Sequence, residues 1–253
     1  MRKPRVSRLT TGALVALVTA LAVAPPAQAQ VAGNGFLFHK PNARVAIRGG
    51  YALASAGSDL FEFTTEQLTL DKRDFSGLSF GASIGIPATD RLDVTFDAGY
   101  SRSSKGSEFR DFVDNDDLPI EQRTTFERVP LTLNLKYYLS PPGTTIGTAA
   151  WIPSKITPWV GVGGGLMKYR FHQEGDWVDF NTNNVFPSTF ESAEWTPVVQ
   201  GMAGADFSLT PLIALTTEAR YLRAKGTLER DFGGFDKIDL SGVSASVGLS
   251  FRL

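Results

Sequence analysis

The chain has 253 residues, 25 Lys and Arg against 26 Asp and Glu, two histidines and no cysteine. Disulfides, cysteine-ligated zinc and cysteine nucleophiles are excluded, and a formal charge of −1 offers no basic surface that points to nucleic acid. A mean hydropathy of −0.06 excludes a bundle of membrane helices, but not strands that turn one face to lipid.

Residues 1–29 have the layout of an export signal. Arg2, Lys3, Arg5 and Arg8 precede an apolar run of 13 residues from Gly12 to Ala24, too short for a spanning helix and of the right length for a signal core. Pro25-Pro26 then breaks the helix, and Ala27-Gln28-Ala29 reads as a cleavage site before Gln30. Removing 29 residues and their four basic side chains leaves 224 residues with a net charge of −5. No later stretch is apolar enough for a membrane helix.

From Arg44 onward the chain alternates with period two, as strands with one apolar and one polar face do. Eight segments show it. In Arg44–Leu53 the apolar face is Val45, Ile47, Tyr51 and Leu53, and in Gly77–Ile86 it is Leu78, Phe80, Ile84 and Ile86. In Arg91–Ser101 it is Leu92, Val94, Phe96 and Tyr100, and in Arg128–Leu139 it is Val129 through Leu139 at every second position. Trp159–His172 is glycine-rich and less regular; its second half sets Met167, Tyr169 and Phe171 against Lys168, Arg170 and His172. Trp195–Leu209, Ile213–Arg223 and Ser241–Leu253 complete the set, the last with Val243, Val247, Leu249 and Phe251 on one face.

Three patterns set a membrane barrel apart from a soluble one. First, the polar faces carry charges in mid-strand: Arg44, Arg48, Lys136 and Arg220 against Asp93, Asp97, Asp206 and Glu218. These are expected to pair across a closed lumen and fill it. Second, aromatics fall at two heights of the apolar face. Tyr51, Tyr100, Tyr169, Phe171, Trp195 and Tyr221 lie at one end, and Tyr137, Trp159, Phe207 and Phe251 at the other, as two girdles flanking a lipid-facing band do. Third, short turns at 87–90 and 210–212 alternate with long polar connections at 55–76, 102–127, 173–194 and 224–239. The connection at 140–156 breaks this rule. The prediction is an all-β, eight-stranded antiparallel up-and-down transmembrane β-barrel over 30–253, with 30–42 as a periplasmic N-terminal segment. Closure leaves no strand edge in hydrocarbon, and inward glycines such as Gly81, Gly99 and Gly248 suit a crowded interior.

The phrases VPLTLNLKYYL (129–139), TPWVGVGGGLMKYRF (157–171) and VSASVGLSFRL (243–253) make the chain resemble the OmpA/OmpX-type eight-stranded outer-membrane β-barrel superfamily. The resemblance spans the whole of 30–253. It implies residence in the outer membrane of a Gram-negative-type bacterium, contact with outer-membrane lipid and lipopolysaccharide, and recognition of 241–253 by the barrel assembly machinery. The chain departs from the family in ending on Leu253, with its aromatic at Phe251. The expected role is non-enzymatic: a monomeric structural or surface-interaction protein, with an extracellular partner met through the loops. A narrow channel for small or apolar solutes is the alternative, and a lipid A-modifying enzyme a third reading.

No cofactor, metal or catalytic group is expected. His172, with Gln173 and Glu174 beside it and Ser101 at the same height, is read as lining the lumen's outer rim; nothing places a nucleophile and an oriented base together. The acidic run Asp111, Asp114, Asp116 and Asp117 lacks the glycine and closing glutamate of an EF-hand and reads as a solvated loop. Gly161–Gly165 has no following Lys-Ser/Thr and is no nucleotide loop. The loops carry many aromatics, among them Phe61, Phe63, Phe109, Phe126, Trp177, Phe180 and Phe232, which either form an interaction surface or pack between the loops.

Overall fold

The computed structural model describes residues 35–113, 117–147, 150–179 and 184–253; the expected leader over 1–29 lies outside them. In chain order the elements are β1 (Arg44–Ala54), helix α1 (Asp59–Gln67), a 3-10 turn at Lys72–Phe75, β2 (Gly77–Pro87), β3 (Leu92–Val113), β4 (Pro119–Tyr138), β5 (Gly143–Ile146), β6 (Ala150–Pro153), β7 (Ile156–Asp179), β8 (Asn184–Ser192), β9 (Trp195–Ser208), β10 (Ile213–Gly226), a 3-10 turn at Arg230–Phe232, β11 (Ile238–Asp239) and β12 (Gly242–Arg252).

Eight strands close a ring in the order β1, β2, β3, β4, β7, β9, β10, β12 and back to β1, with every neighbouring pair antiparallel. The seam pairs Arg44 with Arg252 and Ala54 with Gly242. Successive side chains point to opposite sides of the ring wall, and the outward ones are apolar and bare: Phe80 is 59% exposed, Leu133 60%, Val162 63% and Val199 60%. The inward ones include buried Arg44, Asp93, Asp97, Asp206 and Arg220. This is the reverse of a soluble barrel.

The strands are unequal. β1, β2 and β12 have 11 residues each, whereas β3, β4 and β7 have 22, 20 and 24. Much of 102–127 and 173–194, which alternation reads as long loops, is therefore continued strand. β9 accompanies β7 as far as Lys168, and β8 takes over from Phe171 onward. Beyond the ring, β3, β4, β7 and β8 stand as one wall. Its inner side is covered by α1, the turn at Lys72–Phe75 and the segment 227–241.

The sequence dictates that cover. Asp59 and Glu62 sit in the first turn of α1, where acids suit the helix dipole, and Leu60, Phe61 and Thr64 form its buried face. The Phe61 ring meets Phe75 at 4.6 Å, Phe126 at 5.5 Å and Phe171 at 5.7 Å between centroids, edge-on as aromatic quadrupoles favour. Leu68, Leu70, Phe109, Ile120, Met167, Tyr169, Phe232, Ile238 and Leu240 complete this core. Each large side chain buried here stabilises by roughly 1.5–3 kcal/mol. The loop aromatics thus pack between the loops. Phe61, Phe109, Phe126 and Phe232 are buried, and Trp177 packs against them, while Phe63 and Phe186 are exposed; Phe180 lies outside the described residues.

At the other end, the connection over 140–156 becomes the hairpin β5–β6. Its Trp151 is 2% exposed. Leu37 and Trp151 exchange backbone hydrogen bonds of 2.8 and 2.7 Å, and the Arg252 guanidinium lies 5.6 Å from the Trp151 ring centre. The long connection therefore sets an indole beneath the inward-facing end of β12.

Candidate functional site

The lumen gathers all eight charged residues that the alternation picks out, in two tiers. The tier near the short turns is built from β1, β3, β4 and β9. Arg44 pairs with Asp93, and Tyr138 Oη donates to the same carboxylate at 3.0 Å. Lys136 Nζ lies 3.0 Å from Asp206 Oδ2, while Asp206 Oδ1 accepts from Trp159 Nε1 at 3.1 Å and from Thr216 Oγ1 at 2.8 Å.

The second tier crosses the barrel. Asp97 on β3 pairs with Arg48 on β1 and takes two hydrogen bonds from Arg220 on β10, at 2.8 and 3.2 Å. β3 and β10 face each other across the ring, four strands apart either way round. Glu218 receives Arg220 at 2.8 Å and Arg48 at 3.5 Å. Gln200 accepts from Arg220 at 3.2 Å and donates to Thr132 and Asn134 at 2.8 and 2.7 Å. Such pairs survive burial only because almost every lone pair finds a donor. Gly81 and Gly204 make the room: an added Cβ would stand 2.9 Å from the Arg48 guanidinium and 2.6 Å from the Trp159 ring.

Two further cations belong to the lumen, and the charge network read from the sequence left both out, although Arg252 falls on the polar face of the last strand. Arg128 and Arg252 are 6% and 4% exposed. Both lie on the inward parity, Arg128 in step with Lys136 and Arg252 in step with Ser250. That parity is the signal that could have found them. Arg252 donates to Thr210 O, Pro211 O and Ser208 Oγ, and Arg128 to the carbonyls of Leu240 and Ser241.

The girdle assignment needs correction at three of its ten positions. Tyr51, Tyr100, Tyr137, Trp195 and Tyr221 are exposed on the outward face, and Phe207 and Phe251 are half-buried there. Trp159, Tyr169 and Phe171 instead point inward and are 2%, 1% and 0% exposed. Val160, Val162 and Leu166 take the outward side of β7. A one-residue phase error sends every side chain of a strand to the wrong face. Over 157–171 both parities hold apolar residues, so the phase cannot be read from alternation.

The same correction moves His172. It faces outward beside Glu174 and Glu191, at 3.4 and 3.3 Å, while Ser101 lines the lumen. The wall separates them, so they form no dyad. Outside the ring, hydrogen bonds hold Asp74, Glu191 and, through Lys40, Asp90 below the usual range. For Asp74 the chief cause is the Asp71 backbone N–H, and for Glu191 it is the Arg170 guanidinium. Of the acidic run, Asp111 and Asp117 are described and exposed; Asp114 and Asp116 lie outside the described residues. Among the described residues no group of three or more metal-ligating side chains converges.

Neither a protein-family model nor a curated protein sequence matches the chain. Solved structures do. Neisserial surface protein A is 14% identical, with 87% of this chain and 98% of that one covered and a TM-score of 0.46. The outer membrane protein OprG from Pseudomonas aeruginosa is 14% identical, with 86% and 99% covered and a TM-score of 0.45. The outer membrane protease OmpT from Escherichia coli is 11% identical, with 87% and 99% covered and a TM-score of 0.32. The barrel itself is defined by its own strand register. Fold does not fix function, so the role must come from the lumen and the loops.

Proposed function

We propose that this chain is a non-enzymatic, integral outer-membrane β-barrel with a side-chain-filled lumen and a structural or surface-interaction role. The observation that carries this reading is the filling of the lumen. Arg48, Asp97, Glu218 and Arg220 link β1, β3 and β10 across its full width. The loop-end core closes one side of that network and Trp151 closes the other. The bare apolar belt of the ring supports a membrane setting, since such a surface is costly in water.

On this reading residues 1–29 direct export, the short turns and the β5–β6 hairpin face the periplasm, and the wall of β3, β4, β7 and β8 stands outside the cell. The partners are outer-membrane lipid and lipopolysaccharide at the belt, the assembly machinery at 241–253, and an extracellular partner at the wall. Single-channel recording of the refolded monomer in planar bilayers tests it. Flat traces are expected, and a stable open state in the native chain would overturn the reading. An unchanged lipid A mass profile on expressing the chain is expected as well.

A further inference from the structure

Among the described residues, the membrane-level lumen holds six inward cations (Arg44, Arg48, Arg128, Lys136, Arg220, Arg252) but only four carboxylates (Asp93, Asp97, Asp206, Glu218). The two surplus charges are Arg128 and Arg252, one at each end. They are not equally served. Arg252 spends two of its nitrogens on three oxygens and lays its guanidinium near an indole. Arg128 uses only Nη1, on the Leu240 and Ser241 carbonyls, with its guanidinium 5.2 Å from the Phe126 ring centre; among the described residues no carboxylate lies within ion-pair distance of it, and Asp239 acts on it only from farther off. A buried guanidinium without a close counter-charge is unfavourable.

Arg128 borders a chamber of about 70 Å³ between the second charged tier and the loop-end core. A single water needs about 10–15 Å³ by the same kind of measure, so the space holds several waters or one small ion. Ser79, Ser101, Ser244 and Ser246 line it from β2, β3 and β12, on the inward parity of each strand. The remaining charged groups of the lining are already engaged: Glu218 holds Arg48 and Arg220, and Arg220 also holds Asp97. Four serines and one buried cation without an ion-pair partner around one small space make a receptor for negative charge.

We propose that this chamber binds a small inorganic anion, of chloride to phosphate size, against Arg128 and the four serine hydroxyls. Its occupant supplies the counter-charge that the lumen lacks and stiffens the junction between ring and loop-end core. The inference needs only the closed barrel and holds whether or not the barrel conducts.

The test is the midpoint of heat unfolding of the refolded chain in micelles, at fixed ionic strength, with chloride, phosphate or gluconate as the anion. Ligand binding to the folded state raises stability with the logarithm of ligand concentration. The native midpoint should rise with chloride and with phosphate relative to gluconate, which is too large for the chamber. That rise should vanish in Arg128→Gln and survive in Arg252→Gln. Should Arg128→Gln fail to fold, Ser244→Val decides, because it occupies the chamber and leaves Arg128 in place. Equal native midpoints in all three anions mean that the chamber holds water only, and overturn the proposal. So does a rise that persists undiminished in Ser244→Val or Arg128→Gln.

Discussion

The ring and the wall beyond it are built from the same long strands with opposite solvation. At ring level β4 turns Leu133 and Leu135 outward, buries Thr132 and Asn134 inside and points half-buried Lys136 the same way. Farther along, the same strand buries Phe126 inward and carries Glu121 and Arg123 outside. The inside changes from charged to apolar at Arg128, whose guanidinium stands 5.2 Å from the Phe126 ring centre. A strand has no intrinsic inside. The surrounding medium decides which parity is apolar, and one strand that passes through two media changes its rule on the way.

The comparison breaks if the two regions unfold as one. Phe61→Ala empties the centre of the loop-end core and should cost that core roughly 3–5 kcal/mol. Limited proteolysis should then cut within 55–76 while the ring keeps its heat-modifiable migration in gels. A ring midpoint that falls in step with the cut would join the regions into one unit. Asp97→Asn acts in the ring: it strips the carboxylate shared by Arg48 and Arg220 and should cost roughly 3–5 kcal/mol. Denaturant unfolding in lipid vesicles reads the loss, with the loop-end core still protease-resistant.

Outward positions sharpen the contrast. Leu133→Arg, in the middle of the belt, should cost roughly 2–4 kcal/mol in a bilayer. Arg170→Gln on the wall breaks a surface pair with Glu191 at 2.8 Å and should cost about 0.2–1 kcal/mol. Glu191 also gives that pair a pH dependence. Its folded pKa is depressed by Arg170, so its contribution is complete above the ordinary glutamate range and fades as pH falls through the lowered value. Acid titration of the wall's stability, native chain against Arg170→Gln, should show the two curves converging at low pH.

The ring was legible in the sequence because a bare apolar outer face and a charged lumen impose strict alternation. Seven segments face as their pattern says, and the eight mid-strand charges meet inside. β7 was not, since its glycines and its inward Met167, Tyr169 and Phe171 leave both parities apolar. The wall was hidden for a related reason. Over 102–127 the outward side chains meet water and the inward ones a core, but Ser103, Lys105 and Ser107 share the parity of Phe109, so no clean period emerges. The β5–β6 hairpin carries one anchoring side chain, Trp151, and one tryptophan makes no pattern. Arg128 and Arg252 were visible in principle, as charges on an established parity.

The seam between β1 and β12 bears on how the molecule forms. Arg44 finds Arg252 only at the far end of the described chain, so this contact has nearly the greatest sequence separation the chain permits. The other seven strand pairings of the ring are meanders or close to it. Loop-closure entropy makes such a distant pairing slow, and it can lock in register only once the six strands between have taken their places. Until then two edges with open backbone groups are exposed, and aggregation is the hazard. The cooperativity of the finished barrel therefore resides in its last eleven rungs, and damage to either terminal strand should halt assembly at an open sheet rather than yield a weakened barrel.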